Sequence, residues 1–117
     1  RGLGDVYKRQ AHLQRGYFAP GNDARVWLPG WHPAVARMQR EATAATTERA
    51  WLRAAERVKL LYVAAAEDSI SPPPSLEALQ AAMGPKAALV VVPRAGHALL
   101  PEQPEATARA LIDFAQS

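Results

Sequence analysis

Two uninterrupted apolar runs stand out in the second half of the chain, Lys59–Ala65 and Ala87–Val92. Neither alternates with polar residues, the pattern of strands covered on both faces. Between them Pro72-Pro73-Pro74 breaks the chain, and a helix is expected from about Ser75 to Met83. Gly84 stops it and Pro85 lies beyond. After Pro93, a last helix is expected from about Pro104 to Ala115, with Ala108, Leu111, Ile112 and Ala115 along one face. Residues 58–117 therefore read as β-α-β-α, and the crossover helix makes the two strands parallel.

The first half is patterned differently. Residues 11–32 are rich in turn signals, including Ala19-Pro20-Gly21-Asn22-Asp23 and Leu28-Pro29-Gly30. Pro33 suits the first turn of a helix running to about Thr46, with Val35, Met38 and Ala42 at helical spacing. Thr47 can cap a second helix, Glu48 to about Arg57, with Trp51, Ala54, Ala55 and Val58 on one side. No internal repeat or low-complexity tract interrupts the series.

Chemistry-bearing side chains fall just beyond the strand ends. Glu67-Asp68-Ser69-Ile70-Ser71-Pro72 follows the first apolar run, and Ala95-Gly96-His97 follows the second. Open parallel sheets place their chemistry at this edge. Loops on neighbouring strands, about 4.8 Å apart, can bring a carboxylate and an imidazole into hydrogen-bond contact. Asp68 would then fix the tautomer of His97, and the other imidazole nitrogen would shuttle a proton. Gly96 is expected to relieve crowding beside the imidazole and to allow a backbone angle other residues resist. An isolated aspartate after a strand is commonly a turn or cap residue, and Gly-His is a frequent dipeptide. It is the combination, in register with strand, helix and strand, that points to catalysis.

Composition changes the picture in two ways. Residues 1–10, Arg-Gly-Leu-Gly-Asp-Val-Tyr-Lys-Arg-Gln, resemble one reading frame of the transposase-type adaptor used in shotgun sequencing libraries. They are expected to be extraneous to the fold, with native sequence beginning near Ala11, inside a longer gene. Of the formal charge of +3, they supply all but one unit, and the remaining arginines form no run. Nucleic-acid binding, which needs a clustered basic face, is thereby disfavoured. The second point is the lack of cysteine, which excludes disulfides and thiolate metal sites and fits a cytosolic protein. No apolar stretch approaches the roughly 20 residues of a membrane span.

Residues 58–117 resemble the C-terminal part of the α/β-hydrolase family. Its members typically carry Gly-x-x-Asp-x-Ile/Val-x-Pro after one strand, Gly-His after the next, and Glu-x-Pro opening the last helix. Here these read Ala65-Ala66-Glu67-Asp68-Ser69-Ile70-Ser71-Pro72, Gly96-His97 and Glu102-Gln103-Pro104, with Ala65 where glycine is usual. The resemblance implies an α/β fold: the C-terminal β-α-β-α part of the hydrolase sheet, residues 58–117, preceded by a partial helical lid within residues 11–57. It makes Asp68 the acid and His97 the base of a nucleophile–His–Asp triad. The family's Gly-x-Ser-x-Gly elbow has no counterpart, and Ser69, Ser71 and Ser75 have the surroundings of loop and cap residues. The expectation is thus a hydrolase piece whose nucleophile and oxyanion hole lie upstream. On its own, this piece should not turn over.

The implied substrate is a small molecule, an ester or similar acyl compound, and the tryptophans at positions 27, 31 and 51 suggest an apolar component. They are expected chiefly to fill lid–core packing. No cofactor or metal is called for, His12 and His32 read as ordinary loop histidines, and the oligomeric state is left open. Alternatives are a sibling enzyme with an aspartate nucleophile, acting on carbon–halogen or epoxide bonds, and a non-catalytic ligand-binding protein of the same fold. A flavodoxin-like half would need a phosphate-binding glycine loop, which Ala95-Gly96-His97 is not.

Overall fold

The two apolar runs pair side by side in the computed structural model, which describes residues 2–117. Strand β1 (Leu60–Ala65) and strand β2 (Ala87–Val92) are parallel, in register from Leu60 opposite Ala87 to Ala65 opposite Val92. Because side chains alternate across a pleat, each strand feeds two cores. Leu60, Tyr62, Ala87 and Leu89 pack with Ala55, Leu79 and Met83 on one face. Val63, Ala65 and Val92 pack with Ala95, Leu99 and Ala106 on the other. Helices thus cover both faces, the layering of an α/β fold.

Helix α3 (Leu76–Met83) makes the crossover. Ser75 caps it, its hydroxyl oxygen accepting the Ala78 amide at 3.1 Å. Gly84 ends it at φ 123°, where a side chain would be strained and a Cβ would also sit 2.5 Å from the carbonyl carbon of Ala55. After β2 come the short helix α4 (Leu99–Glu102) and the final helix α5 (Pro104–Gln116). Helix α5 turns Thr107 and Ala110 inward, with Ala106 partly buried beside them. Leu111 and Ile112, expected on its packed face, are instead 52% and 55% exposed. The inward positions are the small residues one step earlier along the turn.

The first half departs further from its sequence pattern. Helix α1 (Leu3–Tyr17) takes in residues 11–17 of the stretch that reads as turn-rich, so His12 is helical rather than in a loop. Residues 2–9 are exposed, and burial begins with Leu13, which packs with Phe18, Ala24 and Ala98. A 3₁₀ turn (Ala24–Trp27) follows, capped by Asp23, and helix α2 (Pro33–Ala45) buries none of its residues. The expected helix near 48–57 is a 3₁₀ segment (Ala50–Glu56) interrupted at Arg53. Only Trp27 packs as expected, against Tyr17 and Phe18, whereas Trp31 and Trp51 are 70% and 59% exposed.

The packed parts of residues 11–57 lie at the two ends of the strands. The Lys86 amide donates to the Ala55 carbonyl at 2.9 Å, which fixes Ala50–Glu56 where the strands begin. Residues 13–28 sit where the strands finish, tied there by the Ala98 amide donating to the Tyr17 carbonyl at 2.9 Å. Among the described residues no helix is long and apolar enough to cross a membrane.

Candidate active site

Beyond the strands the two loops stay joined. The Ala66 amide donates to the Val92 carbonyl and the Glu67 amide to the Ala95 carbonyl, both at 2.9 Å. The chain leaves β2 through Arg94, whose φ of 51° lies in the left-handed region. Two side-chain amides capture its carbonyl, Asn22 Nδ2 at 2.8 Å and Gln103 Nε2 at 2.9 Å, and so hold a conformation that costs a non-glycine residue energy. The outcome is a reversal that presents Gly96 and His97 beside the Asp68 loop.

Asp68 divides its two oxygens between its own loop and the imidazole. Oδ1 accepts the amides of Ile70 and Ser71, both at 2.9 Å, closing the turn that carries the acid. Oδ2 faces His97 Nδ1 at 2.9 Å. An ionised carboxylate only accepts hydrogen bonds, so Nδ1 carries the proton in this contact, and in the neutral ring the lone pair is on Nε2. Burial pushes the Asp68 carboxyl up, but the Ser71 amide, the His97 ring and the Ile70 amide together outweigh it and hold the group below the usual carboxylate range. The carboxylate is 10% exposed and the imidazole 37%, so the carboxylate is the more sheltered of the two.

Gly96 is close-packed for reasons of space alone. A Cβ there would lie 2.8 Å from both the Ala19 nitrogen and the Tyr17 oxygen. Its φ is not positive, so the expected unusual backbone angle is not found; positive φ occurs at Gly21, Gly30 and Gly84.

Of the side chains around this pair, the sequence pointed to Trp27 but not to Tyr17. The Tyr17 ring lies 5.8 Å from the His97 ring, and Trp27 lies 5.8 Å from Tyr17 in turn. Glu102 accepts from Ala19, Asn22 and Gly96. Its only sequence signal was its place in Glu-x-Pro, since two of its partners lie more than 70 residues away. Ser75 is committed to its helix cap, and the Ser71 amide to the Asp68 turn.

The parallel strands with a helical crossover and helices on both faces are the layering of an α/β fold. A model of the alpha/beta hydrolase family matches residues 2–110, and the chain belongs to that family. Among solved structures it is similar to a thermophilic esterase from Thermogutta terrifontis, determined with malate bound, at a TM-score of 0.53 and 19% identity. The alignment covers 99% of this chain and 51% of that one, so the chain spans about half the esterase's length. At such identity the likeness speaks to fold. No curated protein matches the chain.

Proposed function

We propose that Asp68 and His97 are the acid and base of a nucleophile–His–Asp triad in an esterase-like hydrolase, with the nucleophile supplied from outside residues 1–117. The observation that carries this reading is the 2.9 Å contact between Asp68 Oδ2 and His97 Nδ1, on adjacent strand-end loops, with the imidazole partly exposed. Nε2 takes the proton of the nucleophile as it attacks the acyl carbon, and the imidazolium so formed is stabilised by Asp68. The same proton passes to the leaving group as the tetrahedral intermediate collapses. Water repeats the sequence on the acyl-enzyme and releases the acid.

Tyr17 and Trp27 supply an aromatic wall beside the imidazole, which favours a substrate with an apolar acyl or alcohol portion. In this reading residues 13–28 serve as the part of a lid nearest the base. An ester is the substrate class tested first, and a carbon–halogen or epoxide bond, which would call for an aspartate nucleophile, is the alternative. The test is hydrolysis of p-nitrophenyl acetate by the full-length protein, with trapping of an acyl-enzyme. Turnover with a burst supports the proposal. Haloalkane or epoxide turnover without ester hydrolysis would instead assign an aspartate nucleophile.

A further inference from the structure

Glu102, the last residue of α4, sits between the histidine loop and the segment that follows α1, and its carboxylate joins the two. Oε2 accepts the Gly96 amide at 2.8 Å. Oε1 accepts the Ala19 amide at 2.6 Å and Asn22 Nδ2 at 2.9 Å. His97 is therefore gripped from both sides along the backbone. Its preceding residue is held by Glu102, and its following residue, Ala98, donates to Tyr17, which itself lies two residues before Ala19.

We infer that Glu102 is a positioning residue for the hydrolytic site, holding His97 and the Tyr17 wall as one unit. The inference rests on the reading of His97 as base. All three partners of the carboxylate are donors, so the site accepts only a group that offers acceptors at both ends. Glutamine, though the same size, would have to aim its NH₂ at the Gly96 amide or at the Ala19 and Asn22 pair. One end must then open, and the loop carrying the imidazole loses a fixed point. A displacement of about 1 Å in a reacting group costs on the order of 10²-fold in rate.

The experiment compares the full-length protein with Glu102→Gln and Asn22→Ala. Three quantities are read: the ¹⁵N–¹H signal of His97 Nδ1, amide exchange at Gly96, and kcat and KM for p-nitrophenyl acetate. In Glu102→Gln the Nδ1–H signal should broaden or move toward that of a free imidazole, Gly96 should exchange faster, and kcat should fall about 10²-fold. KM should change much less. Asn22→Ala removes one bond to Oε1 and one to the Arg94 carbonyl, and leaves the apolar core intact. Should Glu102→Gln not fold, Asn22→Ala must still perturb the Nδ1–H signal and lower kcat. An unchanged Nδ1 signal and unchanged kcat in the folded variants would overturn the inference. The spectroscopic readout needs no turnover, so it remains decisive even if the wild-type protein hydrolyses no ester and the functional reading fails.

Discussion

Asp68→Asn separates two ways in which the acid could serve His97. Asparagine can keep its side-chain oxygen where Oδ1 accepts the Ile70 and Ser71 amides, so the turn itself survives. Its NH₂ then faces His97 Nδ1, 2.9 Å away in the native pair. A donor there forces the imidazole into the tautomer with its lone pair on Nδ1 and its proton on Nε2, which can no longer take a proton from the nucleophile. Loss of one charge-assisted hydrogen bond alone would cost about 1.5–3 kcal/mol, or roughly 10- to 100-fold in rate. Tautomer reversal in the serine-protease triad costs about 10⁴-fold, equivalent to about 5.4 kcal/mol. The larger figure is expected for kcat in the full-length protein with p-nitrophenyl acetate, KM staying near its native value because the turn is retained. A loss of only about 10-fold would refute the claim that Asp68 fixes the tautomer of the base.

The same variant exposes a pH dependence. The Asp68 carboxyl is held below its ordinary range in the folded protein, so the stabilisation it supplies is complete above about pH 4 and is lost as pH falls further, through the folded value. The difference in Tm between wild type and Asp68→Asn should therefore be present at pH 6 and shrink on acidification below about pH 4. Gly96→Ala should destabilise by about 1–3 kcal/mol in denaturant titration, because the added Cβ meets backbone atoms of Tyr17, Phe18 and Ala19 that cannot rotate aside. Leu79→Ala should cost about 2–5 kcal/mol by the same measurement, since Leu79 is buried against Ala55 and Ala87 and its removal leaves a cavity between α3 and the sheet.

Where structure follows from local pattern, the sequence was readable. The second apolar run becomes β2 without a change of boundary, and the first loses only Lys59. Ser75, Gly84 and Pro104 mark helix ends by side-chain and backbone chemistry that acts within a turn or two. Asp68 and His97 could be brought together from topology alone, because a parallel crossover returns both strand ends to one edge. What escaped depends on distant partners. Leu13 gives α1 its buried anchor only because Phe18, Ala24 and Ala98 surround it, and turn signals nearby masked the helix. Setting residues 1–10 aside as extraneous also removed the first half of that helix from view. The inward stripe of α5 is made of small residues, Thr107 and Ala110, which a search for large apolar side chains passes over. Glu102 was visible as a motif letter, but nothing in its neighbourhood announces bonds to Ala19 and Asn22.

The central claim, that His97 is the proton-transferring base at this strand-end site, is tested most directly by His97→Ala in the full-length protein. The measurement is kcat for p-nitrophenyl acetate at neutral pH, with folding checked by circular dichroism. Removal of a triad histidine leaves only the contributions of binding and the oxyanion hole, so kcat should fall on the order of 10⁶-fold, as in subtilisin. A folded variant that hydrolyses the ester at the wild-type rate would contradict the assignment.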